Sequence, residues 1–283
     1  MLRRAAILLL ALAAPLSAHA DWFGPGLIEK SRGGDFFSAP SSGGGGGGSP
    51  PSIDGSSVSS GQSTGFSNPA TVTITTAQAS EVVACDIVSV TGSGFSSIGF
   101  SDSNSHIWHR QSQWQVPSGT FAGVTFPGNV TQERWWAYHA AAVTGEVITP
   151  SWDASAGVAV LCRGVIGANS SVPFDPTTGA SGANASATAS GYTVSGINST
   201  TNVLLLYSVS NTSTGTACAT GTPTVGGGFT TLGTAGTVGG GPTYYACLFG
   251  QYETSSGALS SASATVGSSA WPDWIAAVDV MKR

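Results

Sequence analysis

The chain has 283 residues, 40 of them glycine, with only 8% charged and a formal net charge of −5. Disordered chains pair low hydrophobicity with high charge, so a chain with little charge and enough apolar residues to bury a core is read as folded. Basic residues are few, and Arg110, Arg134 and Arg163 stand isolated in the sequence. That pattern excludes a nucleic-acid surface that tracks phosphates.

Arg3 and Arg4 precede an unbroken apolar stretch over residues 5–14, ended by Pro15, and Ala18-His19-Ala20 supplies small residues at a peptidase site. The arrangement predicts a signal peptide over residues 1–20, cleaved before Asp21. The stretch is shorter than the roughly 20 residues a membrane span needs, and no later segment is longer and apolar. The expected mature chain has no transmembrane segment and is secreted, to an extracellular or periplasmic destination. Residues 21–39 form a short segment with Trp22, Phe23, Phe36 and Phe37. Residues 40–65 hold the glycine run 43–48, then Pro50-Pro51 and a serine-rich stretch, which predicts a flexible linker.

Residues 66–283 read as one domain. Residues 71–75 alternate hydroxyl and apolar side chains with period two. Residues 82–90 are apolar on both faces apart from Asp86 and Ser89, as in a central strand. Strict alternation over 106–116 puts His106, Trp108, Arg110, Ser112, Trp114 and Val116 on one face. Ile107, His109, Gln111, Gln113 and Gln115 then take the other. Further strand-like runs cover 135–143, 146–152, 158–165, 203–209, 243–252, 261–266 and 274–281, with Gly, Pro, Asn and Ser clusters between them. The alanines of 135–143 also admit a short helix. Many short strands with turn signals between them predict an all-β fold, an antiparallel β-sandwich or jelly-roll-like single domain.

The stretch Gly99-Phe100-Ser101-Asp102-Ser103-Asn104-Ser105-His106-Ile107-Trp108 resembles a strand–turn–strand element of secreted bacterial and phage-virion β-sandwich modules, in which an Asp-Ser turn leads to an aromatic residue. Residues 158–165 followed by Pro173-Phe174-Asp175 resemble the central strand and next loop of such modules, and 274–280 their last strand. Ser105-His106 stands where Gly-Asn is more usual. The resemblance spans residues 71–282. It implies a surface or virion-appendage module, sometimes glycan-binding, and brings no catalytic residues.

Four cysteines in an exported chain predict disulfides, with three connectivities open. Strand positions favour Cys218–Cys247 and Cys85–Cys162, against the alternative of four buried thiols.

Catalytic signatures are missing. Gly61-Gln62-Ser63-Thr64-Gly65 lies in the linker, without the strand and helix that a nucleophile elbow needs. The mature chain offers only His106, His109 and His139 as bases. His106 and His109 are three apart on an expected strand and point to opposite faces, so no metal ligand pair is expected. Asp102-Ser103-Asn104 reads as a turn capped by its own side chains rather than a calcium loop. No catalytic residue, metal or cofactor is therefore assigned. Asp86 is expected to be buried in a hydrogen-bonded structural role. A pair of acids converging from distant strands is the route left open to a hydrolase.

Aromatic residues are the remaining lead. Trp108 and Trp114 are expected in the core, whereas Trp152 (beside Asp153) and Trp271 (before Pro272-Asp273) have turn-like neighbours and are expected to be exposed ligand contacts. The sequence thus predicts a non-catalytic binding or surface-structural module, glycan-binding or adhesive, with a glycan or a cell-surface or virion component as partner. The alternative is a secreted glycan-degrading enzyme or phage-type depolymerase.

Overall fold

The doubly apolar run around Asp86 becomes the middle of the fold. The computed structural model describes residues 48–55, 59–62, 70–121, 124–126, 128–153, 156–175, 181–186, 192–194, 202–213, 228–236, 245–257, 262–264 and 274–283. The strands in chain order are β1 (Ser52–Ile53), β2 (Ser59–Gln62), β3 (Val72–Ile74), β4 (Glu81–Thr91), β5 (Ile98–Asp102) and β6 (His109–Val116). Then come β7 (Gly119–Phe121), β8 (Val124–Phe126), β9 (Asn129–His139), β10 (Glu146–Trp152), β11 (Ala156–Ile166) and β12 (Ser181–Ser186). The last are β13 (Tyr192–Val194), β14 (Val203–Ser213), β15 (Thr230–Gly236), β16 (Tyr245–Ser255), β17 (Ala262–Ala264) and β18 (Trp274–Lys282). Among the described residues there is no helix, and so none long and apolar enough to cross a membrane.

A central sheet runs β1-β11-β4-β9-β6, with β2 also on β11. A second sheet runs β3-β10-β5 and a third runs β12-β18-β14-β16-β15, while β7-β8 and β13-β17 are two-stranded. The protein is an all-β, antiparallel sandwich, and its central sheet is covered on both faces. All eleven residues of β4 are buried. Its alternate side chains Val82, Ala84, Val88 and Val90 pack with Leu204, Leu206, Leu248 and Ile275 of the third sheet. The intervening Val83, Cys85 and Ile87 pack with Val72, Ile74, Ile98 and Ile148 of the second. Period-two alternation in a strand buried on both sides yields two cores from one run.

Cys85 and Cys162 face each other in the β4–β11 register and form a disulfide, as expected. Cys247 is also disulfide-bonded. Cys218, its expected partner, lies outside the described residues, as do Trp271 and the whole of residues 1–47.

The strand-like reading of 135–143 holds over 135–139, the end of β9, which pairs with β4 along its length and with β6 from Val130 to Trp136, and the helical alternative falls away. Three expectations need correction. The expected linker contains two short strands, β1 and β2, which pair with β11. Asp54, between them, is 5% exposed and accepts a hydrogen bond from the Ala77 backbone N–H at 2.7 Å. The two faces expected for 106–116 are broken by a register shift between Arg110 and Ser112. An extra residue at such a bulge reverses the alternation beyond it. Trp108 therefore packs beside the second-sheet core and Trp114 within the third-sheet core. Finally, Trp152 is 6% exposed and belongs to the second-sheet core. Its turn-like neighbours follow the end of β10, while its own register partner Ile98 holds it inward.

Candidate functional site

Two clusters of interior polar side chains lie on opposite faces of the central sheet. The first lies against the third sheet. Asp86 of β4 receives Arg134 Nε on Oδ1 at 2.7 Å and Arg163 Nη2 on Oδ2. Arg134 Nη1 reaches Asp279 Oδ2 of β18 at 2.8 Å and the Leu206 carbonyl at 3.1 Å, and Nη2 donates to Ser208 Oγ at 3.2 Å. Ser112 Oγ donates to Asp279 Oδ2 at 2.7 Å. Two aspartates and two arginines balance in charge, and all four are at most 1% exposed. Burial alone would raise the Asp86 carboxyl, but the Arg134 and Arg163 guanidiniums hold it below its ordinary value. The expectation of a buried, hydrogen-bonded Asp86 is met. Two of the three arginines that stand isolated in the sequence are its partners.

The second cluster lies at one edge, against the second sheet. Asp102 ends β5 and caps the turn that follows. Its Oδ1 accepts the backbone N–H of Asn104 at 2.8 Å and of His106 at 3.2 Å, as an Asx turn does. Ser105 takes a left-handed φ of 62°, the conformation for which glycine is usual at this point. Asp102 Oδ2 accepts the Trp108 indole N–H at 2.6 Å. Burial raises the Asp102 carboxyl, and these donors together with His106 bring it below the usual carboxylate range.

The turn delivers His106 to the ends of two other strands. His106 Nδ1 lies 2.8 Å from Glu146 Oε1 at the start of β10 and 3.3 Å from Asp102 Oδ1. Its ring stacks on that of His139, the last residue of β9, with centroids 3.9 Å apart and planes 9° from parallel. His139 Nδ1 is 3.2 Å from Glu146 Oε2, but without the alignment of a hydrogen bond. His139 is wholly buried, and neither of its ring nitrogens has a hydrogen-bond partner. Burial, then the neighbouring His106, push its pKa down to about 4, so the ring is neutral at physiological pH. Glu146 is raised by burial and by Asp102, against the opposing pull of His106. Glu81 of β4, opposite His139 in register, is raised to about 7, mainly by burial and further by Asp54.

Ligand atoms of His106, His139 and Glu146 lie within 4.8 Å of one another. Two imidazoles and a carboxylate are a donor set suited to borderline transition cations. Sequence reasoning missed this group because it tested His106 only against His109. That residue stacks instead on Trp136, ring centroids 4.6 Å apart. The available signal was the pair His139 and Glu146, which flank one short connection.

Of the expected ligand-contact residues, Trp152 is in the core and Trp271 lies outside the described residues. Comparison with protein families, with curated proteins and with solved structures found no match to this chain.

Proposed function

We propose that the chain is a secreted, non-catalytic binding or surface-structural module of the glycan-binding or adhesive kind. The observation that carries this reading is where the acids are. Glu81, Asp86, Glu133, Glu146, Asp175 and Asp279 are each at most 3% exposed. A glycosidase needs two carboxyl groups flanking a bond of the substrate, and acids enclosed between layers do not reach one. Asp86 and Asp279 are instead spanned by Arg134, and Glu133 accepts from Arg110, Gln113 and the Trp135 indole.

The three-part N-terminus over residues 1–20 supports export. The Cys85–Cys162 bridge supports an oxidising compartment. With Trp152 enclosed, the sequence leaves Trp271 as the aromatic candidate for stacking on a sugar ring.

The test is a glycan array run beside a reducing-sugar release assay on the same polymers. The reading expects binding without release. Release that disappears when two acids are replaced supports the depolymerase alternative instead.

A further inference from the structure

We infer that His106, His139 and Glu146 form a binding site for one divalent transition cation, of the zinc class, that pins the turn after β5 to the ends of β9 and β10.

Three observations converge. The first is the donor set and its spacing. Zinc–nitrogen bonds of about 2.0–2.1 Å arranged tetrahedrally put neighbouring ligand atoms roughly 3.3 Å apart. His106 Nδ1 to Glu146 Oε1 is 2.8 Å and His139 Nδ1 to Glu146 Oε2 is 3.2 Å. The His139–Glu146 spacing is close to the one that a shared cation would impose, and the ligand atoms of all three residues lie within 4.8 Å of one another.

The second is the state of His139. A buried imidazole normally has its polar atoms satisfied, because an unpaired buried donor or acceptor has given up its hydrogen bonds to water without replacement. Here both ring nitrogens and Glu146 Oε2 lack hydrogen-bond partners, in a side chain with no exposure. A cation bound to one nitrogen and to that oxygen satisfies two of the three orphan atoms at once.

The third is the support around the ligands. Metal-bound histidines and carboxylates are held by outer partners that fix their orientation. Asp102 Oδ1 is 3.3 Å from His106 Nδ1, which leaves Nε2 of that ring for the ion, and the carboxylate is itself fixed by the Trp108 indole on Oδ2 and two backbone N–H groups on Oδ1. The His106 side chain is 20% exposed, which gives a cation an entry. Because the rings stack in parallel, one ion cannot lie in both planes. Binding rotates the His106 ring, which sits on the turn, toward the point that His139 and Glu146 define.

The experiment uses the exported full chain, dialysed against a chelator and titrated with zinc by calorimetry, with thermal unfolding followed in parallel. Cobalt is substituted to read ligand geometry from its visible spectrum. One equivalent should bind saturably, raise the melting temperature and give an intense tetrahedral-type cobalt spectrum. His106→Ala, at the least buried of the three ligands, should weaken binding at least tenfold and change the cobalt spectrum. Glu146→Gln should do the same, while His109→Ala should leave both unchanged. Absence of saturable binding overturns the inference. So does zinc binding of equal strength in His106→Ala and Glu146→Gln, or binding lost with His109→Ala alone. Glycan binding that fails while zinc binding persists would reject the functional reading and leave this site standing.

Discussion

Arg134 donates through Nε to Asp86 at 2.7 Å, with the arginine at 0% and the aspartate at 1% exposure, in the space between the central and third sheets. Neither side chain has water to fall back on. Removing one partner of a buried pair costs about 3–5 kcal/mol, since the other charge stays buried without compensation. Arg134→Met leaves Asp279 buried without a cation, while Asp86 keeps Arg163, and is expected to lose stability in that range by denaturant unfolding.

The same pair sets an acid dependence. The folded Asp86 pKa is depressed, so its stabilisation is complete above the unfolded value of about 3.9 and is lost as pH falls through the folded value. The stability gap between the wild-type protein and Arg134→Met is therefore expected to narrow below about pH 4. Unfolding curves taken from pH 2 to pH 7 check it. A gap that stays constant to the lowest pH contradicts the assignment.

Gly128 approaches the end of β4 closely. A Cβ there would lie 2.7 Å from the Thr91 carbonyl oxygen and 2.9 Å from Val90 Cγ1. The carbonyl belongs to a buried strand and does not move aside as the tip of a flexible side chain does. Gly128→Ala is expected to destabilise by about 1–3 kcal/mol through overpacking. Gly55→Ala, with nothing within 4 Å of the added atom, is the control, expected to be near neutral. Thermal unfolding of both variants decides.

The tryptophans separate by environment. Trp114 is 1% and Trp152 6% exposed, in different cores, and each alanine replacement is expected to cost about 3–5 kcal/mol. Trp108→Phe keeps most of the ring but loses the indole donor to Asp102, worth about 1.5–3 kcal/mol to a charged acceptor. Denaturant unfolding of the three variants gives the order. A Trp152→Ala protein as stable as wild type contradicts its place in the core.

The Cys85–Cys162 bridge closes a separation of 77 residues. Loop-entropy arguments assign such a cross-link about 4–5 kcal/mol. The double variant Cys85→Ala/Cys162→Ala should lose stability on that scale. Non-reducing peptide mapping of the wild-type chain should recover the two cysteines in one linked peptide. Two free thiols there would contradict it.

Local pattern was enough where a strand is long and uniformly apolar or strictly alternating. The runs 82–90, 146–152 and 158–165 became β4, β10 and β11 within two residues at each end. What failed depended on partners remote in sequence. Ser52–Ile53 and Ser59–Gln62 look like linker because their strand character comes from pairing with β11, about a hundred residues on. The bulge at Arg110–Ser112 carries no glycine or proline to announce it, so alternation placed Trp108 and Trp114 together. Arg134 and Arg163 look like stray charges until β4 brings Asp86 between them. His106 found its neighbours in the same way, at strand ends 33 and 40 residues further along.

If the buried acids hold the layers together instead of acting on a substrate, one comparison tests it directly. Thermal unfolding and reducing-end release from a polysaccharide panel are measured side by side for the wild-type protein, Asp86→Asn and Asp279→Asn. Both variants should melt well below wild type, and none of the three proteins should release reducing ends. Wild-type release that either substitution abolishes with the melting temperature unchanged would contradict the structural role of these acids.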